Sequence, residues 1–489
     1  MDEIDPNQQL NDTKTEAGLH QQTAVSPTVE PEAQGKPDQV PEKKPFPKML
    51  IYTLAGLLVL TLVGFLLSKF VFKKGNSIGS GPVTLTYWGL WEPESVIEGV
   101  IAEFEKENPN ITIDYRKNSK TDYKARLLSS LVKGETPDIF RIHQSWLPMF
   151  SQYLAAVPES TVEKIGLKNS YFPVTSTELK MGGSYYVVPL MVDNLALFYN
   201  KDILAKANKT VPKTWWGLKQ TAKEVTVRDE SGRIQVAGAG LGTVNNVDHW
   251  SDILGLMIYQ NGADPAKPTG KLIEDVLSFY TYFNLQDKVW DETLPNSTLA
   301  FASGKLAFYF GPSWRYFNIK EMNPNLEFGV AAVPQLPELG SSDWEAAERG
   351  EVGLTNINWA TFWVEGVSRS SPNQKAAWKF LEYLSSKEVM TNLYSAQSQT
   401  RDFGEIYPVV ELANGLKSNP AVSVFVSQAS SAKSWYLCSF THDNGLNDGV
   451  IKYYEDAVNA ILDGDDSSSV TETLSAGVTQ VLTRYKISL

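Results

Sequence analysis

The sequence predicts an α/β protein with two large lobes, and three observations lead to that prediction. The chain has 489 residues, which is too long for one ordinary domain. Hydrophobic residues make up 42% of it, with 13 Trp, 21 Tyr and 21 Phe, enough for large packed cores. Beyond residue 82, β-rich runs alternate with segments of helical hydrophobic spacing, which is the pattern of parallel βαβ units.

The first segments in chain order are a polar tail and an apolar run. Residues 1–48 are rich in Pro, Gln, Asp, Glu and Thr, and they cannot bury enough surface to offset the entropy of ordering, so we predict a disordered tail. Residues 49–72 carry only one charge, Lys69. At about 1.5 Å per residue, such a helix crosses a bilayer core of about 30 Å, so we predict a transmembrane anchor. Residues 73–82, rich in Gly and Ser, are predicted to be a tether.

The lysines around the predicted span indicate its orientation. Four lysines lie shortly before it and two directly after it. By the positive-inside tendency, the tail is expected in the cytoplasm and the body outside it, giving a single-pass protein of the cell membrane. No A-x-A cleavage site follows the span, so we expect it to be retained rather than removed as a signal peptide.

The body begins with two strand–helix pairs. Residues 83–87 are β-rich and end in a glycine turn, and the apolar residues within 97–104 recur at helical spacing until Asn108-Pro109. Residues 111–115 form the next predicted strand, residues 122–133 a helix, and residues 138–142 a third strand. Ligands of open α/β sheets bind beyond the carboxyl ends of the strands, here residues 88–92 and 143–146.

Charge and cysteine content exclude several functions. The formal net charge is −12, whereas a nucleic-acid-binding protein needs a basic face. Cys438 is the only cysteine, so neither an intrachain disulfide nor a cysteine-based metal centre can form. We expect no metal and no cofactor, and we interpret Cys438 and the nearby His442 as structural residues rather than as a thiol–base pair.

Several short stretches carry a family resemblance because they occur together and in order. They are LTYW at 85–88, TPDI at 136–139, YVVPLMVD at 186–193 continuing into FYNKD at 198–202, PKTW at 212–215, FASGKLA at 301–307 leading to GPSW at 311–314, and FGVAAVP at 328–334. In this combination the chain resembles the family 1 extracellular solute-binding proteins, whose best-known members bind maltodextrins.

The resemblance implies an α/β, two-lobe periplasmic-binding-protein-like fold of type II. It has a ligand cleft at the hinge and is preceded in this chain by one transmembrane helix. The first lobe is expected to comprise residues 83–193 and 336–402, and the second residues 194–335 and 403–489. The implied function is that of a receptor, expected to be a monomer. It captures a mono- or oligosaccharide, closes on it and delivers it to the permease subunits of an ABC importer.

The resemblance also implies site residues, because a sugar site needs aromatic plates and planar polar groups. Asp193 matches an acidic position of the maltodextrin binders, and Trp314 matches a stacking tryptophan, although Ser313 is inserted before it. For Asp193 a hinge role is the alternative, and for Trp88 and at least one of Trp359 and Trp435 it is core packing. The expected ligand-binding residues are Trp314, Asp193, Trp91, Gln144, Glu92, Trp88, Asp248, Trp250, Trp359 and Trp435.

Two other functional classes stay open. An extracytoplasmic carbohydrate-active enzyme could use a pair of carboxylates, since acids occur throughout the chain. However, the four histidines are scattered and no H-E-x-x-H motif is present. The G-x-S-x-G pattern at residues 75–79 falls in the predicted tether, so it does not form the strand-to-helix elbow of a serine hydrolase. A tethered ligand sensor would signal through the predicted span, but the tail has no recognisable output domain.

Overall fold

The computed structural model describes residues 81–338 and 343–487. The predicted tail and transmembrane anchor lie outside these residues, as does the predicted tether except for residues 81 and 82. Within the described residues, no helix combines the length and the apolar character that a membrane span requires.

The described residues form 14 strands and 18 helices, with 3₁₀ turns at Gln144–Trp146 and Ser151–Tyr153. The strands are β1 Val83–Gly89, β2 Ile111–Lys117, β3 Ile139–His143, β4 Lys180–Met181, β5 Ser184–Tyr185, β6 Val187–Val188, β7 Ala196–Asn200, β8 Val227–Arg228, β9 Ile234–Ala239, β10 Leu306–Gly311, β11 Phe328–Ala331, β12 Asn358–Trp359, β13 Trp363–Val367 and β14 Ala432–Lys433. The helices are α1 Glu94–Glu107, α2 Tyr123–Lys133, α3 Leu147–Phe150, α4 Glu159–Ile165, α5 Pro173–Thr177, α6 Lys201–Lys206, α7 Trp215–Val225, α8 Trp250–Gln260, α9 Lys271–Leu285, α10 Ser297–Ala302, α11 Arg315–Met322, α12 Trp344–Arg349, α13 Gln374–Leu384, α14 Lys387–Ser398, α15 Val410–Asn414, α16 Ser423–Ala429, α17 Leu446–Leu462 and α18 Ser467–Arg484.

The first sheet has the order β2-β1-β3-β13-β6. β1 pairs in parallel with both β2 and β3, as the strand–helix alternation predicted. Every residue of β3 is buried, because this central strand is covered on both faces. β13 comes from much later in the chain and joins β3 in antiparallel orientation, with Trp363 opposite His143.

The second sheet has the order β11-β7-β10-β9-β8. Its strands all lie between β6 and β13 in sequence, so the chain leaves the first sheet, builds the second and returns. Every residue of β10 is buried, and this strand runs parallel to β9 and antiparallel to β7. The two five-stranded sheets form the centres of the predicted two-lobe α/β fold.

Segments around residues 192–195, 359–361 and 401–406, which we call the joining segments, connect the two five-stranded sheets and hydrogen-bond to one another. The backbone N–H of Val192 donates to the carbonyl of Ile406 at 3.0 Å, and that of Leu195 donates to Trp359 at 2.9 Å. Thr361 donates to the carbonyl of Asp193 at 3.0 Å. Three separate stretches of chain therefore meet between the sheets, and Asp193 lies among them.

Candidate functional site

A cavity of about 590 Å³ lies between the two sheets, and we call it the cleft. Trp91 reaches it from the turn after β1, His143 from the end of β3, and Trp314 from the turn after β10. Asp193 and Thr361 reach it from the joining segments. The cleft thus adjoins the carboxyl ends of β1, β3 and β10, which is where an open α/β sheet places its ligand.

Three tryptophans form the first wall of the cleft, namely Trp91, Trp146 and Trp363. The ring of Trp363 meets Trp91 edge-on at 5.1 Å and Trp146 at 5.2 Å between centroids. Within the described residues, the indole nitrogens of Trp91 and Trp146 are buried and have no hydrogen-bond partner. The first wall therefore combines apolar faces with two unused donors.

A buried ion network supports the first wall. The guanidinium of Arg141 lies 4.8 Å from the ring centre of Trp91 and binds Glu92 at 2.7 Å and Glu365 at 2.6 Å. The hydroxyl of Tyr87 donates to Glu365 at 3.0 Å. Burial raises the pKa of the Glu365 carboxyl, with Arg141 acting against this and the charge of Glu92 adding to it.

The second wall consists of Trp314 and Phe440, and it also has an arginine behind it. The guanidinium of Arg315 lies 4.3 Å from the ring centre of Trp314 and 4.7 Å from that of Phe440. Its Nε donates to His249 Nε2 at 2.9 Å, and its Nη2 lies 3.5 Å from Asp248. One buried arginine therefore fixes the position of both plates of the second wall.

Phe440 belongs to a loop with an unusual backbone. Phe440, His442 and Asn444 have φ values of 60°, 49° and 45°, a region that costs side-chain-bearing residues free energy. The buried carboxylate of Asp443 holds the loop by accepting hydrogen bonds from the backbone N–H groups at the start of α17, those of Gly445, Asn447 and Asp448. Such strained backbone persists only where surrounding bonds impose it. In this loop, the imposed conformation places the exposed side chain of Phe440 in the cleft.

The two buried histidines of the cleft are held in the neutral form. Burial lowers the pKa of His143 to about 3 and also lowers the pKa of His249. Since Arg315 donates to Nε2 of His249, the ring proton is on Nδ1, which faces Ser439 Oγ at 2.8 Å and Asp252 at 3.4 Å. A catalytic triad needs the serine and the acid on opposite ring nitrogens, so this set does not form one.

The floor of the cleft is polar and is formed by the joining segments. Asp193 is buried and accepts hydrogen bonds from Ser313 N at 3.0 Å, Ser313 Oγ at 2.9 Å and Asn194 N at 2.8 Å. Burial raises its pKa to about 7, although these hydrogen bonds act in the opposite direction. Arg401 and Glu405 also line the cleft together with Asp193.

Of the ten residues expected to bind ligand, the cleft brings together Trp91, Asp193 and Trp314. For the other seven, the structure gives positions outside the cleft lining. Those seven are Gln144, Glu92, Trp88, Asp248, Trp250, Trp359 and Trp435.

The polar residues among the seven are occupied by protein partners. Glu92 binds Arg141, as described above. Gln144 is buried and donates to Ser434 at 2.7 Å. Asp248 accepts from Asn296 at 2.8 Å and from Thr298. Their positions directly after a strand suggested ligand contacts for Glu92 and Gln144. In the structure, Glu92 is hydrogen-bonded to the buried Arg141, and Gln144 is hydrogen-bonded to Ser434 of a neighbouring loop.

The tryptophans among the seven pack against protein. Trp359 is fully buried and donates from its indole nitrogen to Asp252 at 2.8 Å. Trp88, Trp250 and Trp435 are half-buried against the core. These positions agree with the alternative of core packing, which we gave for Trp88 and for at least one of Trp359 and Trp435.

Several cleft residues were not predicted from the sequence. Trp363 reaches the cleft only because β13 pairs with β3 across more than two hundred residues, a contact that no local pattern reveals. Phe440 and the pair Arg401–Glu405 lie in stretches without a recognisable period. A loop rich in Ser, Thr, Asp and Asn before α17 was the available signal for Phe440.

The sequence matches a family model and several curated relatives. A family model described as bacterial extracellular solute-binding protein matches residues 99–422. The chain is 25% identical over 361 residues to the multiple sugar-binding protein of Streptococcus mutans, covering 70% of this chain and 81% of the relative. It is 22% identical over 360 residues to the maltotriose-binding protein of Pyrococcus abyssi, covering 71% of each.

Solved structures share the fold. The cyclic α-maltosyl-1,6-maltose binding protein of Arthrobacter globiformis superimposes with a TM-score of 0.64 at 19% identity, over 83% of this chain and 100% of that one. A cyclo/maltodextrin-binding protein in complex with maltotetraose gives a TM-score of 0.63 at 18% identity, over 84% of this chain and 99% of that one. The chain belongs to the bacterial extracellular solute-binding protein family.

Proposed function

We propose that this protein is a receptor that captures a neutral oligosaccharide and delivers it to an ABC importer. One observation carries the proposal: a cleft between two sheets has aromatic side chains on both walls and polar groups on its floor. Pyranose rings have C–H faces that suit aromatic plates and hydroxyl edges that suit polar groups, so this arrangement fits a sugar lying between the walls.

The size and charge of the cleft support a neutral ligand of several rings. Its volume of about 590 Å³ falls within the range of about 300–1,000 Å³ typical of sites for drug-sized ligands. The positive side chains Lys120, Lys124 and Arg401 line it together with negative ones, notably Asp122 and Glu405. Opposite charges therefore nearly cancel, which favours an uncharged ligand over a phosphate or a polyamine.

The relatives support transport as the purpose of binding. Two of them have multiple sugars and maltotriose in their names, and a third, of Escherichia coli, is described as a putative ABC transporter periplasmic-binding protein. Binding without turnover is supported by the names of these relatives, which are those of binding proteins. In the proposed mechanism, the lobes close on the sugar and the closed form docks on the permease.

The proposal includes a membrane anchor on the basis of the sequence alone. Residues 49–72 are apolar and flanked by lysines, and the lysine distribution favours a cytoplasmic tail and an extracytoplasmic body. Membrane fractionation with alkaline extraction, combined with protease protection of intact cells, tests this. Release of the chain into the alkaline supernatant would contradict the anchor.

A thermal-shift screen of the full-length chain in mild detergent tests the proposed ligand class. A ligand that binds only the native state raises the free energy of unfolding by mass action, by about 2.7 kcal/mol when its concentration is a hundred times Kd. The melting temperature rises accordingly. We expect shifts with neutral oligosaccharides and none with polyamines, amino acids or sugar phosphates. Shifts confined to a charged class would overturn the sugar, and consumption of the sugar would indicate an enzyme.

A further inference from the structure

An ion pair on the floor of the cleft is positioned to contact the ligand directly. Arg401 Nη2 lies 2.8 Å from Glu405 Oε1, and both side chains line the cleft. They are 25% and 18% exposed, so water reaches the pair but does not surround it. Hydrogen bonds made here are stronger than at an open surface, because the local dielectric is lower.

The pair is held in place by its neighbours. The guanidinium of Arg401 lies 4.8 Å from the ring centre of Phe317, which also lines the cleft. The backbone N–H of Glu405 donates to the side chain of Gln397 at 2.7 Å. Stacking on one side and a fixed backbone on the other limit the conformations of both charged groups, so a ligand meets a site formed in advance.

The pair also has unused hydrogen-bonding capacity. Among residues 81–338 and 343–487, the Nε of Arg401 is buried and has no hydrogen-bond partner. The Glu405 carboxylate can accept several hydrogen bonds, of which Arg401 supplies one. The Nε itself is closed off from the cleft, so a ligand meets the exposed parts of the Arg401 and Glu405 side chains.

We propose that Arg401 and Glu405 form a hydroxyl-recognition site for a pair of neighbouring hydroxyls on the bound sugar. This inference rests on the proposed function. Each sugar hydroxyl both donates and accepts, so one hydroxyl can accept from the guanidinium while its neighbour donates to the carboxylate. The aromatic faces of the walls contact the C–H groups of a sugar, and the recognition of individual hydroxyls needs polar groups. The pair on the floor supplies that specificity.

The location of the pair connects this recognition to the joining segments. Ile406, next to Glu405, accepts from the backbone of Val192, and Asp193 follows directly. The two segments are thus bound to each other beneath the cleft. A sugar that engages Arg401 and Glu405 contacts the segments between the lobes rather than one lobe alone.

Calorimetric titration of the full-length chain with maltotriose tests the site. We expect E405Q and R401Q each to weaken binding roughly tenfold or more, since each leaves a hydroxyl without its charged partner. The matched control is E351Q, because Glu351 pairs with Arg349 at 2.8 Å on an exposed surface. The control is expected to bind like wild type.

Monodeoxy maltotrioses separate hydroxyl recognition from a general structural effect. In wild type, removing a hydroxyl that contacts the pair should weaken binding roughly tenfold. E405Q should bind that deoxy sugar almost as well as it binds intact maltotriose, because the variant has already lost the contact. Equal losses for every deoxy sugar in wild type and E405Q would overturn the inference, as would variant affinities within about threefold of wild type. If a glutamine variant melts early, R401K and E405D are used in the same comparison. A wild-type chain that binds no sugar would instead overturn the proposed function, and this inference with it.

Discussion

At the scale of the residue, each aromatic wall depends on a buried arginine. Arg141 lies behind Trp91, and Arg315 lies behind both Trp314 and Phe440. Each arginine in turn binds buried carboxylates, so the position of the plates is coupled to charges outside the cleft lining. The orientation of these rings toward the cleft therefore depends on the buried ion pairs behind them.

Replacing Trp314 by alanine removes a plate of the second wall. We expect sugar affinity to fall about tenfold or more, which corresponds to about 1.4 kcal/mol, with little change in the unfolding midpoint. Calorimetry with the best sugar of the screen measures this. The matched control is W216A, because Trp216 is a half-buried tryptophan on α7 that lies outside the cleft lining. Unchanged affinity in W314A would show that Trp314 is not a stacking plate.

The titration of Asp193 predicts a pH dependence of stability. Its pKa is raised from 3.8 to about 7, mainly by burial. The folded protein therefore holds this proton more tightly than the unfolded chain, and the contribution of Asp193 to the free energy of unfolding falls as pH rises from about 4 to about 7. Over this window, wild type should lose stability relative to D193N by up to about 1.4 kcal/mol per pH unit.

Urea unfolding of wild type and D193N at about pH 5 and about pH 7.5 measures the change. The asparagine of the D193N variant keeps the size of the side chain but does not titrate, so pH effects shared by both proteins cancel. An identical stability difference at the two pH values would contradict a raised pKa for Asp193.

At the scale of the element, the first sheet is fastened by the network around Arg141. Arg141 lies on β3, Glu365 on β13 and Tyr87 on β1, so the network connects three neighbouring strands. Glu92, in the turn after β1, completes it. Because these groups are buried, each depends on its partner to offset lost hydration.

Replacing Arg141 by methionine leaves two buried carboxylates without their cation. We expect the free energy of unfolding to fall by about 3–5 kcal/mol, as for other buried pairs that lose one partner. Urea unfolding measures it, with R116M as control, since Arg116 pairs with Asp114 on the surface and is expected to contribute less than about 1 kcal/mol. A loss below about 1 kcal/mol in R141M would show that the network does not stabilise the sheet.

The first elements of the body were predictable, and so was part of the site. Local spacing predicted β1, α1, β2, α2 and β3, and the carboxyl-end rule predicted where the cleft would lie. Trp91 was found because it follows β1 directly. Trp363 was not, because its place depends on a pairing between β13 and β3 that only the folded chain reveals. Glu92 and Gln144 lie outside the cleft lining, because buried neighbours compete for polar groups and sequence does not show that competition.

At the scale of the whole molecule, the cleft of the described body lies over the segments that join its two five-stranded sheets. Aromatic walls come from both sheets, and the polar floor comes from the segments between them. A ligand in the cleft therefore contacts all three parts at once. Binding energy from both walls can favour the closed arrangement, which is the basis of the proposed capture mechanism.

Calorimetric titration of the full-length wild-type chain with neutral oligosaccharides of increasing length, starting from a single ring, tests the central claim most directly. The account predicts saturable binding at a single site in each chain, tighter for an oligosaccharide than for a single ring, and no release of product. Absence of binding to every neutral sugar, with saturable binding of a charged ligand instead, would contradict the proposal that this protein is a sugar receptor.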